Sequence, residues 1–513
     1  MNRIALAALA ISLSTALVAA DMKFPRPRVI PAPVSLDYGE SACARLDGAA
    51  SVKVVADAPA AADWVRAKLK DFLKVSPTVT FAPRGGAALG KDAYRLTAGA
   101  DGVFTLEADD LAGVRNAFYT LRMCLMAERG RLTTQGAWIA PALKVEDRPF
   151  HAFRAMHICW LPETPAALME RQIRLAAYFK FNYALIEFWG TYDSKAYPWF
   201  GWEKELRASR EEIRRLVALG RDLGVTLVPD LNCFGHASMA RRCGGKHATL
   251  DFHPEYASLF EPREGWVWCL TNPETKKVLK GLVSEMYELF GRPGFFHIGC
   301  DESDQPSCPT CAATDWPVTV GTHIREMRDH IASLGARTLV WQDMLISRQD
   351  PRWAGREFEF YPINGVSKES CERLLAQLPK DVVVCDWYYG GREERMTDRF
   401  PTWDYFQSLG FDVMPTSWMR PESTKVMGLA AKRQKTFGFM GTCWHHSYNP
   451  ELYLIYVPSA FAAWGTGLED FVVRADDFAS RWRQVGWDMG GMTKKEDCGY
   501  SHDEIPRHTT TPW

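Results

Sequence analysis

The segment Phe296–Glu302, with the sequence FHIGCDE, is the most informative part of the chain. It reads as an apolar strand that ends on two adjacent carboxylates, Asp301 and Glu302. At the carboxyl end of a barrel strand, such side chains face the substrate. Neighbouring strand residues point to opposite faces, so both acids can reach one pocket only if the backbone bends there, and Gly299 permits such a bend. The sequence therefore predicts a pair of acids at a strand end.

Similar β-rich runs alternate with helical periodicity on both sides of this strand. Eight strands alternating with helices over about 300 residues predict a (β/α)8 TIM barrel, whose active site lies at the carboxyl ends of the strands. A further β-rich run at 357–361 is assigned to a loop. The predicted strands are 153–158, 183–188, 226–231, 295–300, 338–341, 382–387, 411–415 and 437–444, and the predicted helices include 165–179, 210–223, 274–290 and 322–334.

The chain is long enough for a second, smaller domain, since it has 513 residues of which 47% are hydrophobic. Residues 21–146 mix short strands and helices, which predicts a non-catalytic α/β domain in front of the barrel. The polar stretch 144–149 ends on a proline and marks the boundary. The fold class is therefore α/β, with a barrel over 147–460 and a C-terminal extension over 461–513.

Residues 1–20 have the features of a secretory signal peptide: Arg3, an apolar run over 4–18 and small residues before Asp21. We expect a periplasmic or secreted protein whose mature chain begins near Asp21. The apolar run is shorter than the ~20 residues that a membrane span needs, so no membrane association is expected.

The charge balance argues against an anionic partner. Lys and Arg number 61 against 62 Asp and Glu, so no global field attracts nucleic acid or an anionic membrane. The 19 tryptophans suit the apolar faces of sugar rings, which favours a neutral ligand such as a glycan. Composition leaves the oligomeric state open.

The 13 cysteines are an odd number, so at least one thiol is left over if the others pair. Cys308 and Cys311 form a CxxC loop after the predicted catalytic strand. This loop could be a disulfide, half of a zinc site or neither, because no second CxxC appears. The sequence alone therefore assigns no metal and no cofactor.

The segment 297–302 resembles the His-x-Gly-Gly-Asp-Glu signature of the family 20 glycoside hydrolases, the β-N-acetylhexosaminidases, with Cys300 in place of the second glycine. The segments 147–154, 229–236 and 268–270 resemble further family motifs and follow the family's order. The resemblance implies hydrolysis of a terminal 2-acetamido sugar, in which the acetamido oxygen of the substrate attacks C1. Glu302 would be the general acid, and Asp301 would orient the acetamido group and balance the developing positive charge.

The resemblance also implies a set of substrate-binding residues. An arginine would grip sugar hydroxyls, two histidines would lie near the acid, and tryptophans would wall the acetyl pocket. A tyrosine would bind the acetamido oxygen, with Tyr388 preferred over Tyr389, and an aspartate would be a further sugar ligand. The arginine could instead form a surface salt bridge, and either histidine could be a core residue. The set is Arg154, His236, His297, Trp341, Asp343, Trp387, Tyr388 and Trp444.

The chain departs from the family pattern around this set. Residues 159–162 read CWLP where the family has Asp-x-x-Arg, Asn232 replaces an aspartate, and 444–446 read WHH in place of Trp-x-Glu. These changes leave room for GlcNAc, GalNAc or a modified sugar. Two alternatives are a retaining glycosidase that uses Glu187 as nucleophile opposite Glu302, and a glycan-binding protein without activity. Carboxyl groups about 5–5.5 Å apart would favour the first alternative.

Overall fold

The computed structural model describes residues 23–127, 138–162, 164–238, 248–262, 265–303, 305–353, 365–389, 399–444 and 451–469. The chain divides into two compact units, Met1–Phe150 and His151–Trp513. The predicted signal peptide and the run 357–361 lie outside the described residues. Of the predicted C-terminal extension, only 461–469 is described.

The first unit is a small α/β domain built on one mixed sheet. Its elements are β1 Ser35–Leu46, β2 Ser51–Ala56, α1 Ala60–Lys68, a π-helical turn Leu69–Leu73, β3 Thr78–Pro83, β4 Tyr94–Ala98, β5 Val103–Ala108, α2 Leu111–Cys124, β6 Met126–Ala127 and β7 Trp138–Asp147. The strands run in the order β1-β7-β4-β5-β2-β3, and β6 pairs with β7. Alternate residues of β2 and β4 are buried, which is the pattern of strands with one face against a core.

The second unit is a closed barrel of eight strands, paired in parallel in chain order. The predicted (β/α)8 barrel is thereby confirmed. Its strands are β8 Phe153–Trp160, β9 Tyr183–Phe188, β10 Thr226–Asp230, β11 Phe295–His297, β12 Arg337–Trp341, β13 Val383–Trp387, β14 Asp412–Ser417 and β15 Gly438–Cys443.

Helices connect the strands, and their ends follow local sequence signals. The helix Arg210–Leu223, for example, begins at a capping box, in which Ser209 and Glu212 satisfy each other's backbone N–H groups, and it ends at Gly224 with φ 90°. None of the described helices is long and apolar enough to cross a bilayer. The helices are α3 Ala166–Tyr178, α4 Arg210–Leu223, α5 Thr249–Phe252, α6 Pro273–Leu289, α7 Pro309–Ala312, α8 Trp316–Ser333, α9 Lys368–Leu375, α10 Pro401–Ser408, α11 Pro421–Gln434 and α12 Glu451–Trp464, with 3₁₀ turns at Lys204–Leu206, Pro254–Leu259 and Asp343–Leu345.

Apolar side chains from most of the strands meet in the barrel core. They include Phe153, Leu185, Val228, Leu339, Val383, Met414 and Met440, all buried. Towards the carboxyl ends the character changes, because β10, β11, β12 and β13 end on Asp230, His297, Trp341 and Trp387. Polar and aromatic groups therefore collect at the end of the barrel where active sites of this fold lie.

Candidate active site

The backbone bends sharply after β11. Gly299, Cys300 and Glu302 all have positive φ, at 63°, 71° and 44°, so the chain leaves the extended conformation where the two acids begin. At Gly299 a Cβ atom would lie only 2.6 Å from Nδ2 of Asn232, so the bend also needs a glycine for space. The predicted bend is present, and it turns Asp301 and Glu302 towards a common neighbour.

That neighbour is His236. Its Nε2 lies 3.2 Å from Oδ2 of Asp301 and 3.4 Å from Oε2 of Glu302. The two acids differ in exposure, since the Asp301 side chain is 6% exposed and the Glu302 side chain 45%. Nδ2 of Asn232 donates a hydrogen bond of 3.4 Å to Oδ1 of Asp301. The site therefore holds one sheltered, fixed carboxylate and one carboxyl that reaches into solvent.

The backbone of Glu302 is held on both sides. Its N–H donates to Oδ2 of Asp343 at 2.8 Å, and its carbonyl oxygen accepts from Nε1 of Trp266 at 2.7 Å. The Trp266 ring also lies edge-on to His236, with centroids 4.3 Å apart. Asp343 was predicted to bind the sugar, but its carboxylate is fully buried and is bound to the backbone of the acid. Asp343 therefore positions Glu302 in this structure.

Aromatic side chains from four strand ends enclose the space beside the acids. Nε1 of Trp444 donates to the Tyr389 hydroxyl at 3.0 Å, and the Trp444 ring lies 5.9 Å from Trp341. Tyr389 also contacts Trp387 at 4.8 Å and Trp418 at 5.4 Å, centroid to centroid. The structure thus brings together the three predicted tryptophans, and it adds Trp418 and Tyr389.

Tyr389, not the preferred Tyr388, belongs to this group. Tyr388 is buried and packs against Phe400, with centroids 5.8 Å apart. Burial raises the pKa of the Tyr389 hydroxyl well above its usual value, and the carboxylate of Asp301 contributes to that rise, which places the two groups within electrostatic reach. The preference for Tyr388 is wrong because consecutive residues after β13 point in different directions.

The prediction for Arg154 is also wrong. Arg154 is the second residue of β8, so it lies at the amino end of the barrel, opposite the acids. It is 2% exposed, and its guanidinium donates to the carbonyl oxygens of Lys180 at 3.0 Å and His151 at 2.9 Å. The ring of Trp464 lies 5.1 Å from the guanidinium carbon. Arg154 therefore stabilises the amino end of the barrel.

Glu187 is fully buried and engaged by three neighbours. Its Oε2 lies 3.2 Å from Nε2 of His157 and accepts hydrogen bonds from Nε1 of Trp189 at 3.0 Å and from Sγ of Cys159 at 3.3 Å. A nucleophile must approach the sugar carbon with a free lone pair. The burial and these contacts disfavour Glu187 in that role.

His157 lies between two buried carboxylates. Its Nε2 is also 3.5 Å from Oδ2 of Asp230. Burial by itself would lower the pKa of His157, but Asp230 and Glu187 outweigh burial and raise it. The His157 ring lies 4.4 Å from that of Trp444, so this buried group borders the aromatic enclosure.

His297 was predicted to lie near the acid and contact substrate. It is fully buried, its Nδ1 is 3.0 Å from Oδ1 of Asp230, and its ring lies 4.4 Å from Trp341. His297 therefore supports Asp230 and Trp341 from within the barrel, whereas His236 contacts both acids.

Several site residues escaped the sequence analysis. Trp418 directly follows β14, just as Trp444 directly follows β15. Its position at a strand end could therefore have identified Trp418 as a site residue. Trp266 had no such signal, because it lies on a long connection after β10 and reaches Glu302 through the tertiary fold.

Two family models match the chain. The description "Glycosyl hydrolase family 20, catalytic domain" matches residues 191–456, and "Glycosyl hydrolase family 20, domain 2" matches residues 26–148. A curated β-hexosaminidase from Vibrio furnissii is 24% identical over an alignment of 326 residues, with 56% of this chain and 52% of the relative covered. The chain thus spans about half the length of that relative.

Solved structures share the fold. An exo β-N-acetylglucosaminidase from Vibrio harveyi, in complex with N-acetylglucosamine, superposes with a TM-score of 0.67 at 17% identity, covering 93% of this chain and 79% of the other. A β-N-acetylhexosaminidase from Bacteroides fragilis gives 0.61 at 17% identity, with 92% and 99% covered. A β-hexosaminidase variant from Streptomyces plicatus, in complex with GlcNAc as product, gives 0.63 at 16% identity, with 91% and 97% covered.

Proposed function

The chain belongs to glycosyl hydrolase family 20, and from that premise we propose that it removes terminal β-linked N-acetylhexosamine residues from glycans by substrate-assisted, retaining hydrolysis. One observation carries the proposal. Asp301 and Glu302 stand side by side at the carboxyl end of the barrel, both within 3.4 Å of His236 Nε2, beside an aromatic enclosure.

The reaction needs a nucleophile, and two buried carboxylates at this end of the barrel are already engaged by other groups. Glu187 is held by His157, Trp189 and Cys159, and Asp343 is held by the backbone of Glu302. An acetamido oxygen brought by the substrate fills this role without a second protein carboxylate. A 2-acetamido sugar is therefore the substrate class that suits the site.

The exposure of the two acids suits two different tasks. The more exposed Glu302 is able to meet a glycosidic oxygen and donate a proton to the leaving group. The sheltered Asp301, fixed by Asn232, is suited to accept the acetamido N–H and to balance positive charge on the oxazolinium-like intermediate. His236 contacts both carboxyl groups and fixes their positions relative to each other.

The aromatic enclosure supports the same reaction. Trp387, Tyr389, Trp418 and Trp444 supply apolar walls that exclude water from a cyclising amide. The Tyr389 hydroxyl accepts from Trp444 and also hydrogen-bonds Thr442, and these contacts hold it within the enclosure where an acetamido oxygen would bind. Tyr389 is therefore our choice for the tyrosine that orients the acetamido group.

We also propose that the protein is exported, as residues 1–20 predict. A periplasmic or extracellular location would give the enzyme access to glycan chains. N-terminal sequencing of the exported protein should find a start near Asp21, and a retained Met1 would contradict the proposal.

The test of function is a substrate screen with the full mature chain. Aryl β-glycosides of GlcNAc, GalNAc and their 6-sulfates are compared with the matching glucoside. We expect turnover of at least one 2-acetamido sugar and a glucoside rate at least about 10²-fold lower, since the glucoside brings no internal nucleophile. Equal rates on both would indicate a protein nucleophile, and binding without any turnover would indicate a glycan-binding protein.

A further inference from the structure

A second cluster of reactive side chains lies beyond the acid pair. Cys269, Cys308, Cys311 and Glu261 each offer one ligand atom, and these four atoms lie within 4.8 Å of one another. Cys311 is fully buried, Glu261 is 3% exposed and Cys269 is 7% exposed. The CxxC loop therefore meets a third cysteine and a glutamate that the linear sequence does not place beside it.

The sulfur spacing matches a tetrahedral metal site. Sγ of Cys269 lies 3.9 Å from Sγ of Cys308 and 3.7 Å from Sγ of Cys311. In a tetrahedral site with Zn–S bonds near 2.3 Å, two sulfurs are separated by about 3.8 Å. A disulfide would bring one pair to about 2.05 Å and leave the third sulfur without a covalent partner.

A carboxylate oxygen of Glu261 is the fourth potential ligand. Its Oε2 accepts hydrogen bonds from the backbone N–H groups of Ser307 at 2.8 Å and Cys308 at 2.7 Å. Its Oε1 is buried, and the Cys311 side chain hydrogen-bonds the Glu261 carboxylate. A buried carboxylate oxygen that faces thiols is costly unless it meets a cation. A metal ion among the three sulfurs would satisfy it.

Further polar groups contact two of the three sulfurs. The N–H of Cys311 donates to Sγ of Cys308 at 3.2 Å, and Oγ1 of Thr271 lies 3.1 Å from Sγ of Cys311. Such outer contacts orient thiolate ligands and lower the cost of their charge. Soft thiolates in tetrahedral array select zinc over the hard cations Mg²⁺ and Ca²⁺.

We propose that Cys269, Cys308, Cys311 and Glu261 bind one structural zinc ion. The four ligands fill a tetrahedral shell, so the ion has a structural rather than a catalytic coordination. It would join two segments that both reach the acid pair. One is the connection 259–271, whose Trp266 binds the carbonyl oxygen of Glu302, and the other is the loop after Glu302 that carries the CxxC.

The first test measures metal content and needs no activity assay, so its outcome is separate from the proposed hydrolysis. The full chain is exposed to Zn²⁺, passed through a desalting column and analysed by elemental mass spectrometry. We expect about one zinc per chain, bound tightly enough to survive the column. Cobalt-exchanged protein should show the intense visible absorption of tetrahedral cobalt and the thiolate charge-transfer bands.

Variants then locate the ion. Cys269→Ser and Cys308→Ser should each lose at least about 80% of the zinc, because a hydroxyl does not replace a thiolate ligand. Cys43→Ser is the matched control, since Cys43 is half-buried like Cys308 but lies in the first unit, and it should keep its zinc. Glu261→Gln should hold zinc at least about 10-fold more weakly in competition with a chelator, because an uncharged amide replaces the carboxylate.

Three results would overturn the proposal. They are wild-type protein that leaves the column without zinc, a disulfide among Cys269, Cys308 and Cys311 found by non-reducing peptide mapping, and full zinc content in a Cys269→Ser/Cys308→Ser double variant. The wild-type measurements remain decisive even if a variant fails to fold.

Discussion

The backbone N–H of Glu302 donates a hydrogen bond of 2.8 Å to Oδ2 of Asp343. Asp343 lies just after β12, the strand that follows β11 in the barrel. The bend after β11 leaves Glu302 at φ 44°, a conformation that a side chain with a Cβ rarely adopts. The carboxylate of Asp343 stabilises that conformation and keeps Glu302 in place.

Replacing Asp343 tests the role of this hydrogen bond. Asp343→Ala removes the acceptor, so kcat should fall by roughly 10-fold or more while KM changes little, because the acid is misplaced and sugar binding is not. Asp343→Asn keeps an acceptor oxygen and should retain most of the activity. Steady-state kinetics on an aryl 2-acetamido glycoside provide both numbers. A large rise in KM with unchanged kcat would show instead that Asp343 binds the sugar.

The two acids should respond differently to the leaving group. Glu302→Gln removes the proton donor and should cost roughly 10²–10⁴-fold on a natural glycosidic bond, with a much smaller loss on an aryl group of low pKa. Asp301→Asn removes the charge that organises the acetamido group, so its loss should be similar on both substrates. If Asp301→Asn is the variant relieved by the good leaving group, the two roles are reversed. If neither variant loses activity, the pair is structural.

Tyr389→Phe tests the choice between neighbouring tyrosines. The change removes a hydroxyl at the aromatic enclosure, and kcat should fall by roughly 10- to 100-fold because the acetamido oxygen loses its donor. Tyr388→Phe is the matched control and should keep nearly full activity, since Tyr388 packs against Phe400. The same kinetic assay measures both, and a larger effect at Tyr388 would restore the original prediction.

Gly235 provides a steric test of the acid pair. A Cβ atom at Gly235 would lie 2.1 Å from the carbonyl oxygen of Asp301, so Gly235→Ala must displace the segment that carries both acids. We expect a loss of kcat of roughly 10-fold or more, because sub-ångström placement governs proton transfer. Gly48→Ala is the control, as nothing lies within 4 Å of a Cβ there. Unchanged activity in Gly235→Ala would mean that the acids tolerate movement or do not act.

The barrel and the acid pair could be predicted from sequence because both are local signals. Each strand is a short apolar run, and the segment 296–302 carries the bend and both carboxylates together. Helix α4 was predicted with its observed bounds, 210–223, and local signals, a capping box and Gly224, mark its two ends in the structure.

Residues whose role depends on direction were harder to predict. Arg154 belongs to a segment that resembles a family motif, but β8 begins only one residue before it. Arg154 therefore lies at the amino end of the barrel, and the two acids lie at the carboxyl end. Tyr388 and Tyr389 differ only in the way the chain turns after β13. The ligands Glu261 and Cys269 meet the CxxC loop through tertiary packing across some 40 residues, a contact with no local pattern.

His323 should make stability depend on acid pH. It is fully buried on α8, its Nε2 lies 2.8 Å from the carbonyl oxygen of Cys233, and burial lowers its pKa to about 4. Between pH 6.5 and pH 4 the unfolded chain binds a proton at this histidine and the folded chain does not, so the free energy of unfolding falls as pH falls. The contribution of His323 to this loss is roughly 2–3 kcal/mol at pH 4.5.

The test compares thermal midpoints at pH 7 and pH 4.5. His323→Gln keeps a donor for the Cys233 carbonyl but cannot titrate, so the drop in midpoint between the two pH values should shrink relative to the wild type. His151, whose pKa burial also lowers to about 4, should account for part of the drop that remains. An unaltered drop in His323→Gln would show that His323 is protonated in the folded protein or that acid unfolding begins elsewhere.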